Sequence, residues 1–151
     1  MPAATTTLPT PRGAVVLTIE GGIHNRNSSS AAQFDMQMLR ELKTYVVTTR
    51  TPWYQTAVTF SGPRLKDVLA RVGAQGQGLR VRALNDYAVD VPFSDAAAFN
   101  PILAWQIDGQ PLSVRDKGPL FLIYPFDEHP ELKNDIYYGR SIWQIQSITV
   151  Y

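Results

Sequence analysis

Short apolar runs alternate with polar punctuation along the whole chain. Ala14-Val15-Val16-Leu17-Thr18-Ile19-Glu20 is rich in β-branched residues and stops at Gly21-Gly22, which predicts a strand. His24 to Gln33 is polar, carries three serines and reads as a loop. Phe34-Asp35 opens a helix: Asp35 is a capping residue, and Met36, Leu39 and Leu42 give an apolar stripe. Tyr45 to Thr49 predicts a strand, broken at Thr51-Pro52-Trp53-Tyr54 because proline has no N–H to donate. Ala57 to Phe60 predicts another, closed by Ser61-Gly62-Pro63. Leu65, Val68, Leu69 and Val72 lie at helical spacing, with a start at Ser61 or Gly62 and Gly73 just past the end.

The second half is richer in strands. Leu79 to Leu84 alternates apolar and basic residues, Asn85-Asp86 marks a turn, and Tyr87 to Pro92 makes a hairpin partner. Ser94 to Phe99 predicts one helical turn. Ile102 to Ile107 and Leu120 to Tyr124 are strands, separated by the turn Asp108-Gly109-Gln110-Pro111. Phe126 to Tyr138 reads as an irregular acidic loop, and Ile142 to Val150 as the closing strand. Many short strands with two short helices predict an α+β fold of mixed β-sheets. The expected organisation is a flexible segment over 1–13 and one domain over 14–151.

Composition narrows the function classes. A length of 151 residues favours one domain with a real core. The balance of 14 basic against 13 acidic residues, without a long basic run, gives no footprint for nucleic acid or an anionic membrane. No apolar run reaches the ~20 residues of a membrane span. Met1 to Arg12 lacks a basic start and an apolar stretch, so it does not read as an intact signal peptide. There is no cysteine, hence no disulfide, no thiolate nucleophile and no thiolate ligand.

Few residues suggest chemistry. His24 and His129 match no ligand spacing and read as surface residues. Asp127, Glu128, Glu131 and Asp135 read as a solvated acidic loop. No nucleophile elbow or glycine-rich phosphate loop occurs. Asn85-Asp86-Tyr87 is either a self-bonded hairpin turn or a loop presenting groups to a ligand. Arg115-Asp116-Lys117-Gly118 is either a hydrophilic turn or a set of anion and ring contacts, with Gly118 allowing close backbone approach. Trp105 and Trp143 read as core. Trp53, beyond Pro52, reads as a stacking wall for a flat ligand.

A series of segments carries a resemblance. In order they are Thr51-Pro52-Trp53; Phe60-Ser61-Gly62-Pro63-Arg64-Leu65-Lys66-Asp67-Val68-Leu69; Ala83-Leu84-Asn85-Asp86-Tyr87 with Val91-Pro92; Leu103-Ala104 with Asp108-Gly109-Gln110-Pro111-Leu112; Val114 to Pro125; and Arg140 to Val150. Together they resemble the molybdopterin-binding domain of the sulfite oxidase family, from about Ala14 to Tyr151. In that family the strand before Phe60 carries the metal-binding cysteine; here Thr48, Thr49 and Thr51 stand there. A His-Gly-x-Pro-like segment is replaced by Asp116-Lys117-Gly118-Pro119.

These departures are similar to a group of short, exported, pterin-binding members. The resemblance implies a non-catalytic protein, periplasmic or secreted, that senses a reduced pterin without a metal. It implies signalling through a membrane protein with a periplasmic domain. Its alternative is a small molybdopterin-dependent oxidoreductase. The implied ligand contacts are Thr51, Trp53, Asn85, Asp86, Tyr87, Arg115, Asp116, Lys117, Tyr124 and Arg140. Among them Asp86 or Asp116 would accept hydrogen bonds from the aminopyrimidine edge. Trp53, Tyr87 or Tyr124 would stack, and Arg115, Lys117 and Arg140 would hold polar groups or a phosphate.

Overall fold

The apolar runs become strands that are too short to hold an interior alone, so they assemble into three small sheets. This is seen in a computed structural model that describes residues 8–151. In chain order the elements are β1 (Val15–Gly21), β2 (Ala31–Asp35), α1 (Met36–Glu41), β3 (Tyr45–Thr49), β4 (Val58–Gly62), α2 (Leu65–Arg71), β5 (Gly78–Ala83), β6 (Ala88–Pro92), α3 (Asp95–Phe99), β7 (Ile102–Ala104), β8 (Gln106–Ile107), β9 (Gln110–Pro111), β10 (Phe121–Ile123), a 3-10 turn (Pro130–Leu132), α4 (Asp135–Arg140) and β11 (Ile145–Val150). The α+β expectation holds.

The largest sheet has the order β2-β1-β11-β5-β6, with β1 and β11 parallel and the other pairs antiparallel. A four-stranded sheet runs β3-β4-β8-β9, and β7 pairs with β10 as a two-stranded ribbon.

That ribbon divides two apolar clusters. Leu120, Leu122 and Tyr124 belong to the larger cluster with Leu17, Ile19 and the apolar face of α2. Phe121 and Ile123 belong to the smaller one with Val47, Val58 and Phe60. Successive strand residues point to opposite faces, so burial on both sides explains the unbroken apolar run of 120–124. β7 does the same: Leu103 faces the first cluster, Ile102 and Ala104 the second. Gly62 lets β4 lie close to this ribbon, because a Cβ there would overlap the Leu103 carbonyl oxygen.

Three expectations need correction. The loop expected over 24–33 ends early, because Ala31–Asp35 is an edge strand on β1. The acidic loop 126–138 contains the 3-10 turn and the start of α4, whose N-cap Asn134 accepts from the N–H groups of Ile136 and Tyr137. α2 starts after Arg64 without a side-chain cap, and Ser61 and Gly62 belong to β4. Its end is as expected, with Gly73 left-handed at φ 63°. Of the segment expected to be flexible, residues 1–7 lie outside the described residues. Residues 8–13 are docked: Leu8 is buried, and the Arg12 and Gly13 N–H groups donate to Asp35 Oδ2 at 2.8 and 3.0 Å.

Asp35 is also the cap of α1, as its position suggests. Its Oδ1 accepts from the Met38 N–H at 2.8 Å. The Met38, Gly13 and Arg12 N–H groups favour the charged carboxylate and hold it below its ordinary value of 3.8, partly opposed by burial. A lowered folded-state pKa gives stability that is present above the unfolded value and lost as pH falls through the folded one. Asp35→Asn should therefore unfold at lower urea than the parent at neutral pH. The gap between their midpoints should close as pH drops below 3.8, which urea titrations across that range would read.

Candidate functional site

Where β10 meets the chain entering β11, aromatic rings converge. Phe121 forms an isolated bridge with Trp143, and Leu122 donates its N–H to the Ile142 carbonyl at 2.9 Å. Trp53 comes in from the break after β3. Its ring lies 5.5 Å from Phe121, 5.6 Å from Trp143 and 6.0 Å from Tyr138. The contacts with Trp143 and Tyr138 are edge-to-face, the favoured aromatic geometry. This leaves a cavity of about 180 Å³ lined by Trp53, Tyr138, Gly139, Trp143, Gln144 and the β5–β6 hairpin. Typical drug-sized pockets are roughly 300–1,000 Å³, so this one suits a single planar ring system.

Polar groups sit on its rim. Asn85 Oδ1 accepts from the Tyr87 N–H at 3.1 Å, so the hairpin turn is self-bonded and also presents Asn85 and Tyr87 to the cavity. The self-bonded turn and the lining of the cavity coexist in that segment. Ser141 lines the cavity and donates its hydroxyl to the Tyr137 carbonyl. Lys117 stands alongside, its ammonium 5.4 Å from the Trp143 ring and 5.1 Å from Tyr54. Its carbonyl accepts from the Gln144 N–H at 3.0 Å. Tyr54 has its pKa raised, by burial first and then by the nearby charges of Asp116 and Asp108.

The ten residues expected at the site are only partly gathered. Trp53, Asn85 and Tyr87 line the cavity, with Lys117 beside it. Asp86 is exposed at φ 67°, where it serves the turn and does not line the cavity. Arg115 and Asp116 are exposed on the neighbouring loop. Gly118 makes its close approach to the Leu112 backbone, not to a ligand. Thr51 is buried, and its hydroxyl has no partner among the described residues.

Tyr124 and Arg140 do not line the cavity. Tyr124 is fully buried and donates its hydroxyl to Asp95 Oδ2 at 2.8 Å. Burial, with the charge of Asp95 next, pushes its pKa far up. Arg140 Nη1 donates to the same oxygen at 2.9 Å, and its guanidinium covers the Tyr137 ring. This pairing fixes α4, which carries Tyr138 and Gly139 into the cavity wall.

Tyr138, Gly139, Ser141, Trp143 and Gln144 were not singled out for the site by the sequence. Trp143 sits in an apolar run and reads as core. Gln144 falls in step with the alternation of that run, so nothing local announced that it is left-handed at φ 56°. Trp105 is half-buried, with the Arg40 guanidinium 5.1 Å from its ring. The expected surface histidines behave accordingly. His24 is exposed; His129 is half-buried against Phe99, with Nδ1 3.9 Å from Glu131 Oε1.

The domain model described as "Oxidoreductase molybdopterin binding domain" matches residues 16–127. The chain belongs to this family. The match ends before α4 and β11, so of the closing segments of the resemblance Val114 to Pro125 lies inside it and Arg140 to Val150 outside. The fold agrees with the crystal structure of the sulfane dehydrogenase SoxCD from Paracoccus pantotrophus, at 14% identity and a TM-score of 0.64. That similarity covers 89% of this chain and 37% of the other. None of the curated proteins is similar to it in sequence.

Membership implies a molybdopterin, and the residues fit only part of it. The aromatic cavity suits a flat heterocycle. For the metal, the stretch from β3 to Thr51 offers hydroxyls where a soft thiolate is needed. The Thr49 hydroxyl is already committed, accepting from the Asp127 N–H at 3.0 Å. Among the described residues no group of three or more His, Cys, Asp or Glu could hold a metal ion.

The Asp95 pairing makes a separable prediction. Arg140→Met strands a buried carboxylate and should cost about 2–4 kcal/mol. Tyr124→Phe removes one charged hydrogen bond and should cost about 1–2 kcal/mol. Denaturant unfolding of both variants would check the order.

Proposed function

We propose that this family member is a binding module for a pterin, held without a metal, and that it performs no redox turnover. The observation that carries the reading is the cavity between Trp53, Trp143 and Tyr138, rimmed by Asn85 and Gln144. Stacking faces with a few placed polar groups are how proteins commonly hold planar ligands. The chain supplies these, and it contains no cysteine to tether molybdenum. A bound pterin would then act as a signal, passed to a membrane protein with a periplasmic domain. The periplasm is the compartment that suits this role.

Titration with a tetrahydropterin tests the core of the proposal. Saturable one-to-one binding is expected by calorimetry, with quenching of tryptophan fluorescence because Trp53 and Trp143 face the ligand. Tyr87 is 58% exposed, so Tyr87→Ala should fold normally. It should weaken binding by about 1 kcal/mol through lost aromatic contact. No saturation at high micromolar ligand would overturn the reading.

The match to the oxidoreductase family favours a second reading, a small molybdopterin-dependent oxidoreductase. It requires stoichiometric molybdenum in folded protein made by a host that synthesises the cofactor. We expect metal analysis to find none, and a one-to-one metal content would replace the first reading with this one.

A further inference from the structure

Gln144 adopts a conformation that its side chain does not favour. Four non-glycine residues have positive φ among the described residues: Asp86, Asn100, Asp108 and Gln144. The first three are Asp or Asn, the types that visit this region most readily. Glutamine has no such aptitude, and glycine would sit there without strain. The backbone bonds of Gln144, to the Lys117 carbonyl at 3.0 Å and from the Leu84 N–H at 2.9 Å, would survive that replacement. What glycine could not supply is the side chain.

Gln144 is one of the residues that line the cavity. Its Nε2 donates to the Val114 carbonyl at 2.7 Å. A carbonyl only accepts, so this bond fixes which end of the amide is which. Oε1 is left as an acceptor with no donor among the described residues. Asn85 is set the other way: its Oδ1 is taken by the Tyr87 N–H, leaving Nδ2 as a donor. Two residues that line the aromatic cavity thus each keep one uncommitted amide end, an acceptor on Gln144 and a donor on Asn85.

Building on the pterin reading above, we propose that Gln144 selects the 2-amino group of the ligand. Its Oε1 accepts from the exocyclic amine of a 2-amino-4-oxopteridine. Asn85 Nδ2 donates to an acceptor elsewhere on that ring. A 2,4-dioxopteridine sets an oxygen against Oε1 and is rejected by repulsion as well as by the missing bond. The site therefore reads pterins and excludes lumazines, which have the same shape.

The test compares a pterin with the lumazine of the same 6-substituent and redox state, by calorimetry, on the parent protein and on Gln144→Gly. The parent should prefer the pterin by at least about ten-fold, the scale of one hydrogen bond with an unpaired alternative. Gln144→Gly should keep or raise Tm, because it relieves the backbone, while the preference collapses toward one. If Gln144 only ties down the Val114 loop, both ligands weaken together and the ratio survives, which overturns the proposal. Equal binding of the two ligands by the parent also overturns it. Binding of neither ligand by the parent removes the pterin reading, and this inference with it.

Discussion

Burial of the β7–β10 ribbon on both faces is the constraint on which the rest of the structure depends. Five residues, Leu120 to Tyr124, alternate between two apolar clusters, and all are fully buried. Fully burying a large apolar side chain stabilises by roughly 1.5–3 kcal/mol, so this short strand matters out of proportion to its length. It also fixes position. Phe121 is held against Trp53 and Trp143, two walls of the cavity, because the same strand anchors Leu120 and Leu122 in the opposite core. Trp53 and Trp143 then have a rigid surface to pack on.

The lack of cysteine bears on one stretch of the chain. The fold agrees with the family's, while the stretch leading to the cavity offers threonines. The two that are buried differ in state. Thr49 is tied to the 127 turn, which is itself held by the Lys133–Asp127 pair at 2.9 Å. Thr51 has a hydroxyl with no partner among the described residues, an uncommon condition for a buried polar group. The aromatic cavity is open in a chain without a thiolate.

How much was legible in the sequence follows from where each signal resides. β1, β3, β5 and the end of α2 could be read because β-branched runs and Gly73 act locally. Asp35 announced the start of α1 for the same reason. β2 was hidden, since Ala31 to Asp35 has no alternation and becomes a strand only by pairing with β1. α4 was hidden because none of its residues is buried and it shows no apolar stripe. At the site, Trp53, Asn85 and Tyr87 stood out as aromatic or turn residues beside breaks in the chain. Tyr124 and Arg140 misled because nothing local reveals that Asp95, far away in sequence, claims both. Gln144 looked like a strand residue, and only its tertiary bonds make it a corner.

The rim of the cavity is assembled from pieces that neither core needs. Asn85 and Tyr87 are exposed on one hairpin tip, and Gln144 is a single corner residue. A lineage could exchange any of them with little effect on folding and arrive at a different ligand. The scaffold is conservative where β10 runs through it and permissive at this one edge, so descendants that fold alike need not bind alike.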